Sequence, residues 1–174
     1  MPAENLTLIP YVPKHLAALV ESKQAYEKCS GSAVADGVRE LLLAASPDFL
    51  VQIREANVPD PWRFGFAIMD KIDNMLIGLC GFTGPPNADG VVEMAYGIAA
   101  GYRGKGYATE AARALVKFAS RDRRVRTICA HTLAETNAST RILEKCGFTR
   151  IAEFVDPENL RVWKWERTPP RSLK

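Results

Sequence analysis

The sequence predicts an α+β domain built on a mixed, largely antiparallel central sheet of about seven strands flanked by helices. Three observations lead there. Strand-like and helical periods follow one another as one strand, two or three helices, three strands, a helix, a strand, a helix and two strands. Short polar or glycine- and proline-rich turns join the three middle strands, as hairpins require. The 174 residues fit one domain, long enough to bury a proper core. Residues 1–168 form that domain, and residues 169–174 (Pro-Pro-Arg-Ser-Leu-Lys) read as a flexible C-terminal tail.

Each element has its own signal. Leu6-Thr7-Leu8-Ile9-Pro10-Tyr11-Val12 reads as a first strand whose proline marks an edge or end. Residues 14–28 carry Leu16, Leu19, Val20 and Lys23 at helical spacing, and Val38, Leu41, Leu42 and Ala45 repeat the pattern. Pro47 interrupts that region, and helix resumes through Phe49, Ile53 and Ala56. Pro59-Asp60-Pro61 then imposes an extended connection. Arg63 to Met69 and Met75 to Thr83 read as strands around the hairpin-type loop Asp70 to Asn74, and Gly84 to Gly90 turns into a strand over Val91 to Ile98. The most regular element is the next helix, where Ala108, Ala111, Ala112, Leu115, Val116 and Ala119 recur with a helical period. A strand over Val125 to Thr132 follows. A short helix from Asn137 to Cys146 is stopped by Gly147 at its C′ position, and strands at 148–154 and 160–166 complete the order.

Composition narrows the function. With 47% hydrophobic and 25% charged residues the chain is an ordinary globular one, and a net charge of +3 is too small to argue for nucleic acid. The basic run Arg121 to Arg126 reads as a solvated helix end, the other reading being that one arginine reaches an anionic ligand. Four cysteines at 29, 80, 129 and 146 show no zinc or redox spacing and fit small hydrophobes of a reduced protein. No apolar stretch approaches the ~20 residues of a membrane span. The N-terminus, Met-Pro-Ala-Glu-Asn-Leu-Thr, has neither a basic nor an apolar leader region. The expectation is a cytoplasmic protein without nucleic-acid or membrane partners and without a metal, as monomer or homodimer.

The chemistry concentrates in Gly101-Tyr102-Arg103-Gly104-Lys105-Gly106-Tyr107-Ala108-Thr109-Glu110. Three glycines and two cations sit where a strand feeds a helix N-terminus, whose first amides lack intrahelical partners and whose dipole is positive. Glycines let a phosphate approach the backbone, and Arg103 and Lys105 add charge. A P-loop is excluded because Gly106, not Ser or Thr, follows Lys105. A dinucleotide fingerprint is excluded because its last glycine would fall on Thr109.

Arg103-x-x-Gly106-x-Ala108 resembles the acyl-CoA pyrophosphate loop of the GNAT superfamily of N-acetyltransferases. A second segment strengthens the resemblance. Asn137-Ala138-Ser139, then Glu144-Lys145-Cys146-Gly147-Phe148, is similar to the superfamily's second cofactor-contacting helix, about 30 residues downstream with one strand between. The match is closest to the branch of ribosomal-protein N-terminal acetyltransferases. The resemblance implies acetyl transfer from acetyl-CoA to a primary amine, a protein N-terminus or a small molecule, by direct attack in a ternary complex. It implies cofactor contacts at Gly97, Ile98, Arg103, Gly104, Lys105, Gly106, Tyr107, Ala108, Asn137 and Ser139. Asn137 and Gly147 are also simply a good N-cap and a good stop.

Glu93 is the base candidate, because a carboxylate in an otherwise apolar strand is poorly explained by packing. Alternation puts it on one face with Val91, Ala95 and Gly97. His131 in the next strand is its rival. For the departing thiolate, many family members place a tyrosine where this chain has Leu143, so that assignment does not transfer, and Ser139 is the matched hydroxyl. The family's acceptor cleft implicates residues 22–62 and makes Phe49, Trp62 and Phe64 candidate lining. Two other function classes remain open at this point: a catalytically silent acyl-CoA-binding module, and a nucleotide-binding domain.

Overall fold

The computed structural model describes residues 4–170. Residues 1–3 and residues 171–174 of the expected tail lie outside them. Strand β1 (Leu6–Pro10) opens the chain, and α1 (Pro13–Glu21) begins on a proline, whose missing N–H would have no helical partner anyway. The single helix expected over 14–28 is two. Ser22, with φ −165°, ends α1 and caps α2 (Lys23–Ser30) by accepting from the Ala25 N–H at 3.0 Å. Then come β2 (Ala33–Val34), α3 (Val38–Leu43) and α4 (Pro47–Glu55), the last capped by Ser46.

Pro59-Asp60-Pro61 is not the extended connection it was expected to be. Asp60 accepts from the Trp62 N–H at 2.9 Å, Pro61 occupies the first helical position, and a one-turn helix α5 (Pro61–Phe64) results. Strand β3 (Phe66–Asp70) therefore starts three residues later than Arg63. Gly65 makes the turn with φ +67°, and a Cβ there would lie 2.4 Å from the Cys80 carbonyl oxygen.

Strands β4 (Met75–Phe82) and β5 (Val91–Ile98) follow, then a 3₁₀ turn over Ala100–Tyr102 and helix α6 (Tyr107–Ala119). Strand β6 (Thr127–Leu133), helix α7 (Ala138–Lys145), β7 (Thr149–Val155) and β8 (Arg161–Arg167) complete the chain. One sheet runs β1-β3-β4-β5-β6-β8-β7, with β2 added in parallel beside β4. Every other neighbouring pair is antiparallel except β5–β6, which is parallel and short: Val91 pairs with Thr127, Val92 with Ile128 and Glu93 with Cys129. Beyond that the two strands part.

The core lies on both faces of this sheet. Leu6, Leu8, Ile68, Leu76, Ile77, Leu115 and Ile128 are fully buried, each contributing roughly 1.5–3 kcal/mol of transfer free energy. Val92, Met94 and Ile98 are buried on one face of β5, the strand against which α6 packs. On the other face Gly97 lies under Leu41 of α3, whose Cδ1 would stand 3.3 Å from an added Cβ. Edge strand β7 is exposed along its whole length. Cys80, Cys129 and Cys146 are buried thiols, but Cys29 is exposed.

Candidate active site

The glycine-rich loop leaves β5 at Ile98 and becomes α6 at Tyr107. Gly104 and Gly106 both adopt left-handed backbone, φ +78° and +86°, and a Cβ at either would meet no protein atom within 4 Å. The glycines thus answer to backbone conformation, and the space before them is open to a ligand. The first intrahelical bond of α6 runs from the Glu110 N–H to the Gly106 carbonyl at 3.0 Å, so the amides of residues 107–109 have no partner inside the helix. Gly106 has no side chain to cap them. This arrangement suits a pyrophosphate.

Side chains hold the loop from behind. The Tyr107 hydroxyl donates to Asp70 Oδ1 at 2.5 Å, and Asp70, only 2% exposed, also accepts from the Asp73 N–H. The bond to Asp70, then burial, pushes the Tyr107 phenol up to about 12. Asn5 donates its amide and side chain to the Glu110 carboxylate. The Arg103 guanidinium folds back so that Nε donates to the Ile98 carbonyl at 3.1 Å, and the Lys105 ammonium sits 5.1 Å from the Tyr102 ring centre.

Across the gap lies the start of α7. Asn137 Oδ1 accepts from the Thr140 N–H at 3.1 Å, and Thr140 Oγ1 accepts from the Asn137 N–H at 3.0 Å, a reciprocal capping box. Ser139 is half-buried in the first turn. Leu143 is 1% exposed and belongs to the core.

Where β5 and β6 separate, the two rival bases meet. His131 Nδ1 lies 2.6 Å from Glu93 Oε1, with 30% and 37% of the side chains exposed. The parallel register sets this up, because Glu93 pairs with Cys129 and His131 follows two residues on, on the same face. The His131 and Phe154 rings also meet edge to face, their centres 5.6 Å apart. Glu93 and Ala99 each engage β4 through their backbones, so by alternation Gly97 does too, while Met94, Tyr96 and Ile98 turn their peptide groups to the gap. Of the two expected backbone contacts, only Ile98 faces the opening.

A cavity of about 730 Å³ lies on the Gly97 side, walled by α3, α4, α5, β4 and β5. Phe49 and Phe64 line it, their ring centres 6.5 Å apart. Trp62 does not. Its ring packs 4.7 Å from Phe82 and 5.0 Å from Phe118, so it joins an aromatic cluster. Burial pushes the Cys80 thiol of the cavity wall up, and the Cys129 thiol up to about 11, so both stay neutral at physiological pH. Sequence reasoning missed Tyr96. It lines the cavity, and its hydroxyl points across the gap to the Ser139 carbonyl at 3.5 Å. Its position on the core-facing side of β5 gave no functional signal.

An acetyltransferase (GNAT) domain model matches residues 5–149, and the chain belongs to that family. The sequence is 35% identical over 82 residues to an uncharacterized N-acetyltransferase, YjdG, of Bacillus subtilis. That match spans 47% of this chain and 49% of YjdG, about half the length of the curated relative. Among solved structures, a GNAT-family acetyltransferase from Bacillus anthracis superposes with a TM-score of 0.65 at 18% identity, over 97% of this chain and 98% of that one. RimL, a ribosomal L7/L12 α-N-protein acetyltransferase in complex with coenzyme A, superposes with a TM-score of 0.64 at 16% identity, over 95% of each chain. At such identities the likeness is one of fold: the mixed, mostly antiparallel GNAT sheet.

Proposed function

We propose that the protein transfers the acetyl group of acetyl-CoA to a primary amine by direct attack, with Glu93 and His131 acting as one proton-accepting unit. The observation that carries this is the 2.6 Å contact between them at the mouth of the β5–β6 gap, beside a ligand-ready helix start. The loop of residues 104–108 and Arg103 fit the pyrophosphate of the cosubstrate. Ile98 offers its backbone to the pantetheine arm, and the uncommitted side-chain groups of Asn137 and Ser139 help orient it.

Glu93 shares its strand face with the cavity-lining Ala95 and Gly97, which makes its second oxygen the acceptor of the amine proton. His131 holds the carboxylate in place. The amine nitrogen bonds to the acetyl carbon, the carbon–sulfur bond breaks, and the electron pair leaves on sulfur. Buried neutral thiols at Cys80 and Cys129 speak against an acyl-enzyme route.

Leu143 has no proton to give, so another group must meet the thiolate. The Tyr96 hydroxyl is that group in our reading. Its contact with the Ser139 carbonyl is long and easily exchanged. Burial pushes the phenol up, so it donates a hydrogen bond to sulfur without surrendering its proton. The test is thiol release from acetyl-CoA with an amine panel. Turnover lost in His131→Ala as well as in Glu93→Gln, with coenzyme A affinity kept, is the expected result. Tyr96→Phe should lower kcat about 10-fold or more without weakening acetyl-CoA binding. A protein that binds acetyl-CoA but acetylates no amine would instead be a silent binding module.

A further inference from the structure

The acceptor cavity has an unusual charge inventory for a site that must receive an amine. Among the described residues that line it, none is Asp or Glu. Its walls are largely apolar, with Leu41, Phe49, Phe64, Leu79 and Phe82 prominent, and its single charged lining residue is a cation, Arg63. Arg63 keeps company with Asp60 outside the cavity, at 4.0 Å, and is itself well exposed at the rim.

An ammonium leaving water for apolar walls needs a compensating carboxylate. The reacting amine has one, because Glu93 with His131 takes its proton at the gap. A second ammonium would have none, and it would face the Arg63 guanidinium. Apolar and aromatic walls reward an apolar body instead, and about 730 Å³ is the size of a site for a compact organic ligand. From this we infer that the acceptor is a monoamine: one primary amine on an apolar or aromatic body, and not a polyamine. This rests on the acetyl-transfer reading above and narrows it.

The experiment compares kcat/KM for three acceptors at saturating acetyl-CoA: phenethylamine, a tripeptide beginning with phenylalanine, and spermidine. At least one apolar monoamine should exceed spermidine by about 100-fold. Whichever apolar arm is faster tells whether the body is a free amine or a chain terminus. Gln52, an exposed polar residue of the cavity lining, supplies the converse variant. Gln52→Glu adds a carboxylate at nearly constant shape and should raise spermidine turnover about 3- to 10-fold. Spermidine equal to or better than both monoamines, or no response to Gln52→Glu, would overturn the inference, whereas acetyl-CoA binding with no acetylation of any acceptor would overturn the acetyl-transfer reading instead. Failure to bind acetyl-CoA in calorimetry would overturn the acetyl-transfer reading itself.

Discussion

Two helices begin on opposite sides of the same gap, and they begin differently. The start of α7 closes on itself, Asn137 and Thr140 satisfying each other's backbone donors. The start of α6 has a left-handed glycine and no side-chain cap. A Ser, Thr, Asn or Asp cap contributes about 1 kcal/mol, so the α6 start forgoes a readily available stabilisation. Ties from behind replace it: Tyr107 to Asp70, and Asn5 to Glu110. The contrast separates two uses of one feature. Free amides at a helix start serve a ligand only if the chain does not consume them, and the turn then needs another anchor.

Four changes break or sharpen this contrast. The largest effect is expected between the two starts, at the base. Glu93→Gln should cut turnover about 10²-fold while coenzyme A affinity barely changes, read by steady-state kinetics beside calorimetry. Full activity in Glu93→Gln, with activity abolished in a folded His131→Ala, would assign the base to the histidine alone.

Next in size is the anchor of the open start. Tyr107→Phe leaves the buried Asp70 short of a donor and should cost about 2 kcal/mol of stability at pH 8. Because the folded state raises the phenol to about 12, the wild type's advantage is complete below about pH 10, the ordinary tyrosine value, and is lost as pH rises through 12. Denaturation of both proteins between pH 8 and 11 should show the gap narrowing. A constant gap would mean that the hydroxyl contributes no titrating interaction.

The open start itself comes third. Gly106→Val strains a φ of +86° and fills the space before the loop, so coenzyme A binding should weaken on the order of 10-fold or more. Unchanged affinity in a folded variant would remove the loop from the site. The closed start should be the least sensitive. Ser139→Ala should lower kcat/KM only about 3- to 10-fold, the scale of one neutral hydrogen bond. A loss of ~10³-fold would make Ser139 the proton donor and displace Tyr96.

How much of this was legible depends on the range of the interactions that decide it. Val91–Ile98 and the α6 helix were plain in the sequence because their periodicity is local and each buries one face. The break at Ser22 was hidden, since a serine inside an apolar period reads as helix until its side chain is seen capping the next one. Asp60-Pro61 was misread for the same reason: Pro at a first helical position and Pro in an extended linker look alike. Glu93 and His131 were each visible as bases, yet their union depends on a parallel register joining residues 38 apart. Trp62 was offered to the cavity on its ring alone, and the packing of Phe82 and Phe118 claimed it for a half-buried aromatic cluster.

The shortness of the β5–β6 pairing has a mechanical meaning. The sheet is two plates riveted along a seam of three residues, Val91 to Glu93, with a wedge opening beyond. Any flexing about that seam moves the far ends of β5 and β6 most and the residues at its end least. Glu93 sits on the last rivet, and His131 is one stride past it. In the proposed reaction an acyl arm would therefore enter the wedge, and leave it, without prying apart Glu93 and His131.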